Sequence, residues 1–171
     1  MNEEELKALF EAAKWAPSSY NNQPWRFLYA RRNTLFWPLF FDLMIEFNQG
    51  WTKNASALSL VISAKNFEHN NKVARTHSFD TGAAWMALAL EGAWRGYVVH
   101  GMEGFDYEKA KKNLEIPDDY QVEAMIAIGK RAPITQLSPE LQKREAPSPR
   151  KSIDDFAFEG KFKKFKKSEA A

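Results

Sequence analysis

The order of apolar patterns along the chain is the feature that most limits how it can fold. Residues 2–15 place apolar side chains at helical spacing, and Trp25, Phe27 and Tyr29 then begin a strand-like alternation. Further helical patterns cover residues 34–47, 77–95 and 106–114, and strand-like runs cover residues 57–64, 97–100 and 122–128. This order predicts a layered fold of mixed α/β or α+β type, with helices packed on a sheet.

Several boundaries follow from local chemistry. Asn2 and Glu5 have the spacing of a capping box at the start of the first helix, and Pro17 forces the chain out of helical geometry near its end. Residues 34–47 predict one core or interface helix, and residues 77–95 predict a central buried helix. Glycines in or just after that second helix indicate close approach of a backbone or ligand, or simply tight helix packing: Gly82, Gly92 and Gly96. Residues 101–105 predict a loop, and four prolines within residues 132–149 predict an extended arm that is not a packed element.

The composition bounds the class of protein. A chain of 171 residues that is 44% hydrophobic can form one domain with a real core. Its 13 Phe and 6 Trp exceed what a monomer of this size needs to bury, so we expect a ligand pocket or a subunit interface. With no cysteine, and with His69, His77 and His100 lacking ligand spacing, no metal site is expected. A net charge of +2 does not favour nucleic acid, and the absence of a signal-like or bilayer-length segment favours a cytoplasmic protein without membrane association.

The segment from Pro17 to Trp25 carries the densest hydrogen-bonding capacity in the chain. Two hydroxyls and three side-chain amides lie between a helix end and a strand start, with no ionisable base among them. Such neutral groups suit recognition of a polar heteroaromatic ring or a ribityl chain better than acid–base catalysis. The same residues also suit a turn that satisfies its own backbone.

This segment, PSSYNNQPW, resembles the PSS-x-N-x-QPW signature of the FMN-dependent nitroreductases. Four more motifs of that family follow in order over nearly the whole chain: Asn48-Gln49-x-Trp51-x-x-Asn54-Ala55, Asp80-Thr81-Gly82-Ala83-Ala84, Gly101-Met102-Glu103-Gly104-Phe105-Asp106 and Pro149-Arg150-Lys151. The resemblance implies an α+β fold, a mixed sheet flanked by helices, in an intertwined homodimer. It also implies a flavin domain over residues 1–149 and a C-terminal segment over residues 150–171.

The resemblance assigns flavin contacts to four parts of the chain. The first group would line the site across the dimer interface: Ser18, Ser19, Asn21 and Gln23. Asn48 would bond the pyrimidine edge of the ring. Backbone facing flavin N5 would come from Met102, Glu103 and Gly104. The 5′-phosphate would be held by Arg150 and Lys151, whose charges suit it.

The resemblance further implies an oxidoreductase that passes hydride from NAD(P)H through FMN to small electron-poor acceptors such as nitro compounds or quinones, by a ping-pong mechanism. No side chain is required as a catalytic group, since the flavin carries the chemistry. The sequence departs from the family pattern at two places. The family places a basic Arg-Arg-Ser segment before the first helix, where this chain begins, so weaker FMN binding is expected. Trp51 stands where some relatives have a lysine.

Two other functions are compatible with the same residues. One is a flavin-binding or flavin-sequestering protein with little reductase activity, and the other is a structural dimerisation module whose cofactor site has decayed. The tail from Lys161 to Lys167 alternates lysine with phenylalanine and is expected to be a solvated end.

Overall fold

The computed structural model describes residues 1–162, which contain four strands and six α-helices. The strands are β1 Trp25–Arg31, β2 Ala57–Ala64, β3 Val98–Met102 and β4 Tyr120–Gly129. The helices are α1 Glu3–Lys14, α2 Trp37–Phe41, α3 Glu46–Thr52, α4 His77–Trp94, α5 Tyr107–Asn113 and α6 Pro139–Gln142. Short 3₁₀ turns lie at Ser19–Asn21, Ile134–Gln136 and Ile153–Asp155. None of the helices in this described part is long and apolar enough to cross a membrane.

The strands form one sheet in the order β1-β2-β4-β3. All three pairings are antiparallel: Trp25 lies opposite Ser63 at one end, and Met102 lies opposite Met125 on the far edge. The α+β class is therefore confirmed. The sheet was expected to be mixed, but all of its strand pairs within the described residues are antiparallel.

Helices cover both faces of the sheet, and the period of two along the strands supplies a core to each face. On one face, Leu6 of α1 and Leu88 of α4 pack with Ile126 of β4. On the other, Phe40 of α2 and Ala110 of α5 pack with Met125, the neighbour of Ile126. The strand β2 is buried along its whole length, as expected for a central strand between two helical layers.

The first helix forms as predicted. Asn2 Oδ1 accepts a hydrogen bond from the Glu5 amide at 2.8 Å, and the Asn2 amide donates to Glu5 Oε2 at 2.7 Å, which completes the capping box. Leu6, Leu9 and Ala13 are the buried stripe. The predicted strands at residues 57–64 and 122–128 are also confirmed, the second one being longer at both ends.

The single helix predicted over residues 34–47 is wrong. The chain forms α2 and α3 with a break between them, at which Met44 makes an isolated bridge to Phe105 and the Ile45 amide donates to the Gly104 carbonyl at 3.1 Å. These long-range bonds replace the helical ones. Leu35, predicted in a core or interface helix, lies before α2 and is 89% exposed.

The helix α4 has the predicted bounds to within one residue, but its burial is one-sided. Apolar side chains with at least half of their surface exposed run along its outer face: Phe79, Met86, Leu90 and Trp94. Of its glycines, Gly92 is required by tight packing, since a Cβ there would lie 2.5 Å from Val99 Cγ2. Gly96 has a φ of +75° and ends the helix. No atom lies within 4 Å of a Cβ placed at Gly82, so the predicted close approach is absent there within the described chain.

Two further boundaries differ from the prediction. Gly101 and Met102, predicted in a loop, extend β3 because they pair with β4. The arm predicted over residues 132–149 contains a 3₁₀ turn and α6, whose first turn is capped by Ser138 Oγ. By its contacts the chain divides into two units, Met1–Ala132 and Pro133–Ala171. The predicted boundary at residue 149 remains a prediction, and most of the predicted Lys/Phe tail lies outside the described residues.

Candidate functional site

The loop from Ser18 to Gln23 has an unusual backbone. Tyr20, Asn21 and Gln23 have φ values of 52°, 53° and 47°, a left-handed conformation that costs a non-glycine residue about 1 kcal/mol or more. Bonds within the loop hold it: the Gln23 amide donates to Ser18 Oγ at 3.0 Å, and Gln23 Nε2 donates to the Asn21 carbonyl at 3.2 Å. Of the predicted site residues, the structure therefore joins the four in this loop.

Asp80 fixes this loop to the rest of the fold. It is only 6% exposed, and its Oδ2 accepts hydrogen bonds from the Ser19 amide at 2.9 Å and from Thr76 Oγ1 at 3.2 Å. Asp80 also lies in the first turn of α4, where a negative charge is favourable. The sequence motifs that begin at Pro17 and Asp80 are thus in direct contact, and this anchoring role was not predicted.

A polar pocket of about 390 Å³ opens beside the loop. Its lining combines amides, charged groups and rings: Tyr20, Asn21, Asn22, Gln23, Arg26, Glu68 and His69. Asn22 joins the two walls, because its Oδ1 accepts from the Glu68 amide at 3.1 Å and its Nδ2 donates to the Asn66 carbonyl at 3.4 Å. Arg26 and Glu68 form an ion pair of 2.7 Å across it.

A second group of predicted residues meets around Asn48, which is 7% exposed. Asn48 Nδ2 donates to the Gly104 carbonyl at 2.9 Å, and Asn48 Oδ1 accepts from Trp51 Nε1 at 3.0 Å. A Cβ at Gly104 would lie 2.6 Å from Asn48 Nδ2, so a side chain there would have to displace the Asn48 amide. An amide nitrogen has two hydrogens and its oxygen two lone pairs, so Asn48 keeps one donor and one acceptor for a further partner.

The residues around Gly104 complete this second group. Met102 buries its side chain in the core beside α2 and α5, which leaves its backbone as the part able to face a ligand. Glu103 is exposed. His100 lies against Trp51, with ring centroids 4.6 Å apart.

The two groups do not meet within one chain. The loop from Ser18 to Gln23 leads into β1, and Gly104 follows β3, while β2 and β4 lie between these two edge strands. Three strand spacings correspond to about 14 Å. No hydrogen bond joins the two groups within residues 1–162.

Arg150 and Lys151 belong to the second unit of the chain, and both are exposed. The Arg150 guanidinium donates to its own segment, to the Ser148 carbonyl at 2.9 Å and to Ser148 Oγ at 2.8 Å. Their predicted role as phosphate ligands remains a prediction.

A partly buried polar network around Ser63 was missed from the sequence. Residue Glu123 is the extra residue at a bulge between β2 and β4, and its Oε1 accepts from Ser63 Oγ at 2.5 Å and Ser78 Oγ at 2.6 Å. His77 Nδ1 is 2.7 Å from the same Ser63 Oγ. The serine lies between the acid and the imidazole, which differs from the order of a nucleophilic triad. The sequence gives no signal for this network, because its members come from three separate elements.

These groups suit a polar, ring-containing cofactor better than a metal. In the described part of the chain, no three His, Asp or Glu side chains are placed to hold a metal ion. The site residues offer amides, hydroxyls and backbone groups, which match the carbonyls, ring nitrogens and ribityl hydroxyls of a flavin.

Comparison with known proteins supports the same class. A solved structure of an FMN-containing oxidoreductase is 45% identical, with a TM-score of 0.91, over 95% of this chain and 84% of that chain. A putative nitroreductase in complex with FMN from Exiguobacterium sibiricum shares the fold, with a TM-score of 0.74 at 22% identity over 92% and 87% of the two chains. Protein DrgA of Synechocystis sp. is 30% identical over 84% of this chain and 80% of its own length.

Fold and relatives together define a flavin oxidoreductase. The model of the nitroreductase family matches residues 1–130, and the chain belongs to that family, which is FMN-dependent. The matched range contains the Ser18 loop and the Asn48 group, and it ends before Arg150 and Lys151.

Proposed function

We propose that this protein uses FMN to pass hydride from NAD(P)H to small electron-poor acceptors such as nitro compounds and quinones, in a ping-pong cycle. The observation that carries the proposal is the Ser18 loop, whose strained backbone is fixed by Asp80 and which presents neutral amides to an open pocket. Groups of this kind bind and orient a cofactor without competing as acids or bases. FMN supplies the redox chemistry at its N5 when bound.

The chain's own residues would divide the binding between them. Ser18, Ser19, Asn21 and Gln23 hold the ring and ribityl chain from one side. Asn48 uses its remaining donor and acceptor on the pyrimidine edge, in an orientation set by its bonds to Gly104 and Trp51. The backbone of residues 102–104 faces N5. Arg150 and Lys151, in the proposed C-terminal segment 150–171, hold the phosphate.

We further propose a homodimer with two shared flavin sites. The loop and the Asn48 group lie beside opposite edge strands, and in the proposed dimer the loop of one copy and the Asn48 group of the other bind the same cofactor. The exposed apolar face of α4 offers a surface for that copy, since large apolar patches rarely stay exposed to water. This arrangement also uses the surplus of aromatic residues.

The proposal is tested by the absorbance of the protein loaded with FMN, under nitrogen. We expect NADH or NADPH to bleach the flavin bands and 1,4-benzoquinone to restore them, with parallel initial-rate lines when both substrates are varied. Flavin that stays oxidised would instead favour a flavin-sequestering protein, and protein that refuses added FMN would contradict the proposal.

Two variants sharpen this test. Asn48→Leu should weaken FMN retention on dialysis, since it removes the amide while keeping the volume similar. Asn54→Leu is the matched control, because Asn54 belongs to the same motif but is exposed, and its Oδ1 accepts a hydrogen bond from Arg32 at 3.3 Å. Equal retention in the two variants would remove Asn48 from the site.

A further inference from the structure

His100 lies at the edge of the Asn48 group, and the proposed function leaves it without a role. It is an exposed residue of the edge strand β3, two positions before Met102. Its ring contacts the Trp51 indole, with centroids 4.6 Å apart and planes inclined by 48°. This distance is typical of an interacting aromatic pair. The imidazole makes no hydrogen bond within residues 1–162, so the ring contact is what ties it to the candidate site.

Trp51 depends on contacts from outside its own helix. The helix α3 is only seven residues long, and a helix of this length is marginal without tertiary packing. The indole is half-buried and packs against the core between the sheet and α2 and α5. His100 adds a contact from β3. The indole is therefore restrained by two parts of the fold that lie outside α3.

The restraint on Trp51 bears on the Asn48 amide. Trp51 Nε1 donates to Asn48 Oδ1 at 3.0 Å, and Asn48 Nδ2 donates to the Gly104 carbonyl at 2.9 Å. Exchanging the amide nitrogen and oxygen would set two donors against each other at Trp51 and two acceptors against each other at Gly104. The indole N–H thus helps to fix the order in which Asn48 presents its remaining donor and acceptor.

We propose that His100 is a positioning residue for the bound flavin: by packing on Trp51, it keeps the indole N–H on Asn48 and the amide turned towards the pyrimidine edge. This inference rests on the proposed function. The role belongs to the imidazole ring and not to its charge, because the contact is between rings. Phenylalanine should therefore replace His100, whereas an aliphatic side chain should not.

The first test measures the dissociation constant of FMN from the quenching of its fluorescence on binding, without any reductant. His100→Leu should raise that constant about 2- to 12-fold, the range that corresponds to loss of one aromatic pair. His100→Phe should bind FMN like the parent. Val98→Leu is the matched control and should also bind like the parent, since it places leucine at an exposed position on the same face of β3.

Trp51→Phe separates positioning from a general effect on the fold. It keeps a ring against His100 and removes the N–H that reaches Asn48. In this background the path from His100 to Asn48 is gone, so adding His100→Leu should not change the dissociation constant of FMN further. The two changes are then strongly non-additive. A merely structural role of His100 would instead weaken binding by the same factor in both backgrounds.

The indole provides a second readout, by ¹H–¹⁵N NMR of the protein before FMN is added. The Nε1 signal of Trp51 is the one that disappears in Trp51→Phe. His100→Leu should speed the exchange of this hydrogen with water, because a less restrained indole leaves Asn48 more often. His100→Phe should restore the slower exchange, and Val98→Leu should leave it unchanged.

The proposal is overturned if His100→Leu binds FMN as tightly as the parent, if His100→Phe or Val98→Leu binds it as weakly as His100→Leu, or if Trp51→Phe does not alter the effect of His100→Leu. If this happens while NAD(P)H reduces the bound flavin, only the role of His100 is wrong. If the His100 variants behave as expected but NAD(P)H never reduces the flavin, the proposed reaction is wrong and His100 still positions the flavin. A protein that binds no FMN would contradict both.

Discussion

Asp80 links two sequence motifs that lie sixty-one residues apart. Its carboxylate accepts from a backbone amide of the strained loop and from Thr76, so it offsets part of the cost of the left-handed residues that follow. A buried carboxylate with such partners is difficult to replace, because removing it leaves the Ser19 amide without its acceptor.

We expect Asp80→Ala to lower the free energy of unfolding by about 1.5–3 kcal/mol, the usual contribution of hydrogen bonds to a charged group. Urea unfolding measures this directly. Asp80→Asn keeps an acceptor oxygen and should lose less. Asp119→Ala serves as control, since Asp119 is exposed; if it were as destabilising as Asp80→Ala, the anchoring role of Asp80 would be refuted.

For single residues, the sequence predicts which residue types lie in the candidate site but not which of their atoms form hydrogen bonds. The loop amides and Asn48 could be singled out because their motifs are local. The bonds from Asp80 to Ser19 and from Asn48 to Gly104 could not, because they depend on how distant segments pack.

Among the elements, α1 shows most directly how sequence becomes structure. Its capping box is local, so it was predictable from residues 2–5 alone. The bond from the Asn2 amide, followed by one from the Tyr97 hydroxyl, holds the pKa of Glu5 below its ordinary value of 4.5. The cap therefore depends on the ionised carboxylate.

The contribution of Glu5 to stability therefore depends on pH, and the direction of that dependence follows from its pKa. Because the pKa of Glu5 is lower in the folded protein than in the unfolded chain, its contribution is complete above pH 4.5 and is lost as pH falls through the folded value. Glu5→Gln should lower the melting temperature near neutral pH. On acidification, the melting temperature of this variant should fall less than that of the parent. Glu4→Gln, in the same turn, is the control for removing one charge. Identical pH profiles for all three proteins would contradict this role.

The prediction of a single helix over residues 34–47 was wrong because α2 and α3, unlike α1, are determined by contacts with distant parts of the chain. Residues 34–47 have helical spacing, and nothing local forbids one continuous helix. The break arises because the Gly104 carbonyl takes the Ile45 amide and because Leu43 and Met44 are buried in the core. Tertiary contacts therefore override the local helix propensity, and this happens next to the candidate site.

At the scale of the whole molecule, the exposed apolar face of α4 is the feature that the packing of a single chain does not explain. Met86 and Leu90 are more than half exposed in the middle of a helix whose opposite side is fully buried. The homodimer proposed above would cover them.

We expect light scattering to give twice the chain mass of 19.7 kDa for the parent protein at all dilutions. Met86→Glu combined with Leu90→Glu should give the mass of one chain and release FMN, because burying each apolar side chain is worth about 1.5–3 kcal/mol and a buried unpaired charge adds a further penalty. Val73→Glu, at an exposed apolar residue outside α4, should change neither property. A folded parent of single-chain mass would refute the shared site.

The close contact between Gly104 and Asn48 has a consequence for how this protein can vary. A side chain at residue 104 would displace the Asn48 amide and with it the bond to Trp51. The free-energy effects of changes at the two positions are therefore coupled and will not add. The constraint has a direction: while Asn48 stays, residue 104 has to remain glycine to leave room for its amide, although fifty-six positions separate the two residues.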